Sequence, residues 1–310
     1  MLSRRRFFTI AGGVLAASAV QHPVLAALRS APGTLTELRR GVGAYTDRGG
    51  TIGWALRDNA LVIVDTQYAE NAEDTASAFK NHRGSSPETL IDLLVNTHHH
   101  GDHTGGNGVL LSRSTDSVAH QNCVALQKQN AGDNPDLAVA ATTFDSSWTR
   151  DVGDETVLLN HDGPAHTGGD ATVFFEKANV VHTGDLVFHH VVPFIDVDGG
   201  GYVENWIITL ETLYERYNDD TLFIFGHGNP DNGITGSRDG LLQMRDYLTA
   251  LDEFVAQKRT EGMTAQDMES VTDLPGFEDY SSDKWPLPLA QNLGAVYREQ
   301  TDDTPATSGE

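Results

Sequence analysis

Thr97-His98-His99-His100-Gly101-Asp102-His103-Thr104-Gly105-Gly106-Asn107 is the stretch from which the rest of the chain is read. It follows an apolar run, Leu90 to Val95, that reads as a buried strand. The spacing His-x-His-x-Asp-His places imidazoles and a carboxylate side by side, and these are the usual ligands of zinc and similar divalent metals. Alternate residues of an extended or turning chain point the same way. His98 and His100 can therefore face one metal. Asp102 and His103, past the bend at Gly101, can face a second. His99 lies between two ligands, should point away from the metals, and is read as structural.

Further along, four stretches carry the same residue types. They are Pro164-Ala165-His166-Thr167-Gly168-Gly169-Asp170, His182-Thr183-Gly184-Asp185, Phe225-Gly226-His227-Gly228 and, upstream, Leu61-Val62-Ile63-Val64-Asp65-Thr66. In order and separation, these and the histidine-rich stretch resemble the metallo-β-lactamase superfamily over about Gly41 to about Val255. The resemblance implies an α+β fold, a four-layer αββα sandwich. It also implies a ligand set in which the first metal takes His98, His100 and His166, the second takes Asp102, His103 and His227, and Asp185 bridges both. Two zinc ions are expected, with iron or manganese as alternatives. A hydroxide between the metals would attack a carbonyl or similar centre, and Asp102 would orient it or shuttle a proton. Asp65 would accept a hydrogen bond from a ligand imidazole; read on its own it is equally a strand-end turn residue. A resemblance of this kind identifies the scaffold and the metal site, not the substrate.

The length, 310 residues, suits one large domain or two small ones, and the resemblance favours one, over 27–300. The formal net charge is −23, from 44 acidic and 21 basic residues. A chain this acidic repels phosphate backbones, so nucleic acid is not an expected partner and a small-molecule substrate is. Lysine is confined to Lys80, Lys128, Lys177, Lys258 and Lys284. Cys123 is the single cysteine, so no internal disulfide can form, and it reads as a buried small apolar residue on a helix. Some β-lactamases of the superfamily use a cysteine ligand where this chain has Asp185.

Ser3-Arg4-Arg5-Arg6-Phe7-Phe8, the apolar run Thr9 to Val20 and Val24-Leu25-Ala26 read as a twin-arginine-type signal peptide ending near residue 26. An uncleaved anchor is the competing reading. No stable membrane anchor is expected after cleavage, and the mature protein would be periplasmic or secreted. The end of the chain, 301–310, reads as a disordered acidic tail.

Between these ends, Gly41 to Asp65 reads as a strand meander with a turn at Arg57-Asp58-Asn59. Helices are expected at Glu70–His82, from Thr104 to Leu111, over Tyr202–Tyr217 and over Gly236–Arg259. Strands are expected at Ser117–Ala119, Thr156–Asn160, Ala171–Glu176, Val180–His182 and Leu222–Phe225, and a loop or helical turn at Pro135–Ala141. His120, His189 and His190 either line the cleft or pack elsewhere. Phe188, Pro193, Phe194 and Trp206 are either an apolar wall beside Asp185 or core. His182 should be packed and His161 at the surface.

Asp185 favours a site of the glyoxalase II and lactonase style, and export favours a substrate other than a glutathione thioester. The expected activity is hydrolysis of an ester, lactone, thioester or β-lactam-like amide. The alternatives are a mononuclear iron dioxygenase acting on persulfides and a non-catalytic metal-binding accessory protein.

Overall fold

The computed structural model describes residues 33–84, 91–280 and 287–301. The expected leader, Leu90 and the tail beyond Thr301 lie outside the described residues. The first half of the chain builds a seven-stranded sheet in sequence order: β1 (Thr34–Arg39), β2 (Val42–Thr46), β3 (Ile52–Arg57), β4 (Ala60–Val64), β5 (Ile91–Asn96), β6 (Ser114–His120) and β7 (Thr142–Phe144). β1 to β4 form an antiparallel meander, and β4 to β7 run parallel. Asp58 and Asn59, with φ of 47° and 60°, supply the two left-handed positions that a two-residue hairpin turn needs. The parallel crossovers carry α1 (Ala72–Arg83), the short α2 (Gly101–Thr104) and α3 (Asn107–Leu110), and α4 (Gln121–Ala131).

The second half continues with β8 (Ser147–Val152), β9 (Glu155–Asn160), β10 (Thr172–Phe175), β11 (Val180–His182), β12 (Phe188–His189), α5 (Val203–Arg216), β13 (Leu222–Ile224), β14 (His227–Gly228), β15 (Thr235–Gly236), α6 (Asp239–Thr260), α7 (Ala265–Met268) and α8 (Leu289–Thr301). Its main sheet runs β15-β13-β11-β10-β9-β8, and β12 pairs with β14.

The strand alternation sorts the layers. Val62, Val64, Leu93 and Val95 point inward against Val157, Leu159, Val173 and Ile224 of the other sheet. Leu61, Ile63 and Leu94 point outward and pack on Phe79 of α1 and Leu110 of α3. On the far side, Val181, Phe223 and Phe225 pack against Trp206, Leu210 and Leu213 of α5 and Leu241, Met244 and Leu248 of α6. Helix, sheet, sheet, helix is the αββα sandwich expected from the sequence. A strand covered on both faces needs apolar side chains at every position, which is why Ala60–Val64 shows no polar alternation.

Local boundaries differ in instructive ways. Helix formation after the histidine stretch begins at Gly101 rather than Thr104, with extended His100 as its cap residue, so Asp102 and His103 lie on the helical turn itself. β6 starts at Ser114, earlier than Ser117. β1, β7, β8 and α8 were not expected. Among the described residues no helix is long and apolar enough to cross a membrane.

Candidate metal centre

The carboxyl ends of β5, β11 and β13, with the loop between β9 and β10, meet at one edge of the sandwich. The turn after β5 delivers His98 and His100, and α2 delivers Asp102 and His103; the loop delivers His166; the turn after β11 delivers Asp185; β14, two residues beyond β13, delivers His227. Close approach is enforced by glycine. Gly184 sits at φ 53°, and a Cβ there would lie 2.8 Å from Thr97 Cβ; a Cβ on Gly226 would collide with Asp185 Oδ1.

The seven residues fall into two groups that share Asp185. In the first, His98 Nε2 and His166 Nε2 each lie 3.0 Å from His100 Nδ1. Asp185 Oδ2 is 3.8 Å from His98 Nε2 and 3.7 Å from His166 Nε2. In the second, His227 Nε2 lies 3.1 Å from Asp102 Oδ2 and 3.4 Å from His103 Nε2. Asp185 reaches this group as well, with Oδ1 3.0 Å from His103 Nε2 and Oδ2 3.3 Å from His227 Nε2.

The outward-facing ring nitrogens show what the inward ones carry. A carboxylate or carbonyl oxygen only accepts, so a nitrogen facing one must hold the proton. His103 Nδ1–H donates to Asp65 Oδ2 at 2.8 Å. Thr97 Oγ1 donates to the same oxygen at 2.7 Å and so accepts from His98 Nδ1–H at 3.0 Å. His166 Nδ1–H donates to Phe194 O at 2.8 Å, and His100 Nε2–H donates to Asp196 Oδ2 at 2.9 Å. His98 Nε2, His100 Nδ1 and His166 Nε2 therefore converge, and in the neutral rings these are the nitrogens that carry the lone pairs. Nitrogens around a tetrahedral zinc with bonds of about 2.0–2.1 Å lie about 3.3 Å apart, close to the spacing seen. Asp185 Oδ1 is buried, with His103 Nε2 at 3.0 Å as its polar neighbour. The donor set fits divalent cations in both pockets.

Charge points the same way. Burial pushes His98 well below the usual imidazole pKa, with His103 adding to it. Burial, then His100, pushes His166 down to about 3. In the second group burial opposes the charged forms but is outweighed. Asp185, Asp102 and Asp65 hold His103 well above its usual value, and Asp185 with Asp102 raises His227 to about 9. Asp102 falls to about 2, burial being overcome by His103 and His227. The buried Asp185 and the half-buried Asp102 thus call for compensating positive charge, which protons on His103 and His227 supply when no cation does.

Asp65 touches both groups: His103 directly and His98 through Thr97. Thr97 N–H also donates to Asp65 Oδ1 at 2.8 Å. Its backbone is left-handed (φ 69°), as is that of Gln67 (φ 57°). Between them, Thr66 N–H and Oγ1–H both donate to His103 O, at 2.7 and 3.0 Å. Backbone strain of this kind, about 1–3 kcal/mol per residue, persists where surroundings fix it.

Phe188 stacks on His227 at 5.2 Å and Phe194 meets His100 at 5.3 Å. Trp206 meets His166 at 5.4 Å while donating Nε1–H to Leu186 O. Phe188 and Trp206 are wall and core at once. His99 turns its ring from His98, 6.5 Å between centroids, onto Asp196. His182 is packed, bonded to Thr51 O. His120 stacks on His161 at 3.8 Å, which leaves His161 half-buried rather than at the surface. His189 bonds Gly233 O, and His190 pairs with Asp279. Cys123 is buried on α4. Sequence reasoning gave Asp196 and Thr97 no role; an acid just ahead of Gly199-Gly200-Gly201 was the available signal for the former.

Comparison with known proteins agrees with this geometry. A profile of the metallo-beta-lactamase superfamily matches residues 46–252. The chain is 23% identical over 252 residues to a metallo-beta-lactamase type 2 of Bacillus cereus, covering 78% of this chain and 92% of that protein. It is 22% identical over 245 residues to one of Bacillus sp. (strain 170), covering 76% and 91%. Among solved structures, the stereoselective inverting sec-alkylsulfatase Pisa1 from Pseudomonas sp. superposes with a TM-score of 0.66 at 16% identity over 87% of this chain. The chain spans 50% of that protein's length. A metallo-beta-lactamase from Pontibacter korlensis gives 0.57 at 18% identity, covering 70% of this chain and 98% of that one.

Proposed function

The chain belongs to the metallo-β-lactamase superfamily, and we propose that it is a dinuclear metal hydrolase, with zinc as the expected metal, that opens an ester, lactone, thioester or β-lactam-like amide. The observation that carries this reading is the convergence of His98 Nε2, His100 Nδ1 and His166 Nε2 beside a carboxylate, Asp185, whose oxygens also lie 3.0 Å from His103 Nε2 and 3.3 Å from His227 Nε2. His98, His100 and His166 would hold one cation and Asp102, His103 and His227 the other, with Asp185 within reach of both groups. Divalent cations bound there would polarise the acyl oxygen and bring the acidity of water towards neutral pH.

The chain's own residues do the remainder. Asp102 Oδ2 lies 3.1 Å from His227 Nε2 with its side chain 20% exposed, so it can take a proton from attacking water and pass it to the leaving group. Phe188 and Phe194 keep water from one side. The substrate is a small molecule; the acidic surface disfavours nucleic acid. We further propose that the arginine-rich leader exports the protein and is removed near Ala26. Replacing Arg4, Arg5 and Arg6 together by lysine should then hold it in the cytosol.

The test is elemental analysis of the purified mature chain with a hydrolysis panel: carboxylic esters, lactones, thioesters, a chromogenic cephalosporin and a secondary alkyl sulfate. Turnover of one class, abolished in His98→Ala and His166→Ala and lowered at least ~100-fold in Asp102→Asn, supports the reading. One iron per chain without zinc, together with oxygen uptake, would overturn it.

A further inference from the structure

We propose that the loop from Phe194 to Gly201 is a clamp dedicated to the first cation pocket, with Asp196 and His99 as positioning residues for His100. The proposal rests on the metal reading above. The loop addresses two of the three imidazoles of that pocket. Its Phe194 carbonyl takes the Nδ1–H of His166 at 2.8 Å, and Asp196 Oδ2 takes the Nε2–H of His100 at 2.9 Å. Both bonds fix which ring nitrogen is left with the lone pair. His100 depends on this most, because it presents Nδ1 where His98 and His166 present Nε2, and its side chain is 17% exposed while theirs are wholly buried.

Asp196 is itself held. His99 Nε2 lies 3.3 Å from the same Oδ2, and Gly199 N–H donates to Oδ1 at 2.9 Å. The second histidine of the His-His-His run thereby braces the carboxylate that aims the third. The loop in turn is tied to the strand of chain around His166. Gly168 N–H donates to Gly199 O at 2.8 Å, and Tyr202 N–H donates to Ala165 O at 2.8 Å. The triple glycine is what lets the two segments approach. A Cβ on Gly199 would collide with Asp196 Oδ2, one on Gly201 would fall 2.5 Å from His166 O, and Gly200 takes φ 82°.

The second pocket has no link to this loop through its imidazole His103, whose outward nitrogen goes to Asp65. Asp65 reaches both pockets, His103 directly and His98 through Thr97, whereas Asp196 reaches only the first, so damage to Asp196 should be felt by one cation only. Removing a carboxylate that orients a ligand imidazole typically costs 10–100-fold in metal affinity.

The experiment titrates the full purified chain with zinc and with cobalt against a competing chelator. It follows the cobalt absorption bands and records the unfolding midpoint of the metal-free protein. For Asp196→Ala, one of two equivalents should weaken about 10–100-fold with its cobalt bands altered, while the other equivalent and the metal-free midpoint stay near wild type. His99→Ala should move the same equivalent in the same direction by less, and Asp196→Glu should recover part of the loss. If Asp196→Ala does not fold, Gly199→Ala displaces the carboxylate without removing it and carries the same expectation. Two wild-type equivalents in Asp196→Ala, or equal weakening of both, overturns the clamp. No metal uptake by the wild type would instead overturn the hydrolase reading beneath it.

Discussion

Asp65→Asn is the substitution for which the structure gives the most definite expectation, because it keeps shape and changes only hydrogen-bonding character. Asp65 is fully buried and accepts from Thr97 N–H at 2.8 Å, Thr97 Oγ1–H at 2.7 Å and His103 Nδ1–H at 2.8 Å. Asparagine tolerates the left-handed backbone at φ 69° as well as aspartate does, so the change adds no strain. Its amide must, however, place an NH2 where one carboxylate oxygen stands. If that group faces His103, the imidazole has to present an Nε2–H towards the second pocket and cannot ligate. The less costly orientation puts NH2 against Thr97 N–H, leaving two buried donors opposed. Leaving a buried donor unsatisfied costs about 1–3 kcal/mol.

The metal-free Asp65→Asn protein should thus lose about 1–3 kcal/mol, a fall of roughly 2–4 °C in unfolding midpoint per kcal/mol for a chain of this size. The bond to His103 becomes a neutral one, and second-pocket affinity should drop about 10–100-fold. Chemical denaturation without metal and chelator competition with metal read the two effects separately. An Asp65→Asn protein that binds both equivalents as the wild type does would refute the argument that Asp65 sets the ring orientation of His103.

Elemental analysis should find about two zinc-like ions per chain, and Asp185→Asn should lower both metal content and turnover far more than it lowers the metal-free unfolding midpoint. Burial, then His161, pushes the buried His120 down to about 4 from 6.5, with Asp145 working the other way. Because that pKa is depressed in the folded state, its contribution to stability is present above pH 6.5 and is lost as pH falls towards 4; His120→Phe should flatten the fall in denaturation midpoint across that window. The formal charge of −23 destabilises the fold by self-repulsion, so the metal-free midpoint should rise as salt shortens the screening length from about 10 Å at 0.1 M to about 3 Å at 1 M; a midpoint indifferent to salt would contradict this.

How much of this was legible in the chain depends on where each feature's free energy comes from. Strands buried on both faces declare themselves, because Ala60–Val64 and Leu222–Ile224 can only be apolar. β8 does not, since Ser147–Val152 is an exposed edge strand whose pairing with β9 is made by the backbone. α8 did carry a signal: Leu289, Asn292, Leu293 and Val296 are buried at helical spacing. The residues that gather at the candidate metal centre were legible because metal chemistry restricts residue type so sharply that His-x-His-x-Asp-His stands out even without a fold. What holds those ligands in place was legible only in part. Asp65 lies 38 positions from the His103 that it orients, and Asp196 lies 96 from His100. An aspartate that orients an imidazole looks, in sequence, like any strand-end or loop aspartate. Its partner is chosen by the approach of two chain segments, and the trace this leaves is glycine where a Cβ would collide. For Asp196 that trace is Gly199 and Gly201, and Gly226 leaves the same trace beside Asp185 at the centre itself. In this fold the candidate ligands are marked by their own chemistry, and Asp196, placed to aim one of them, is marked by the glycines of the segment it leans on.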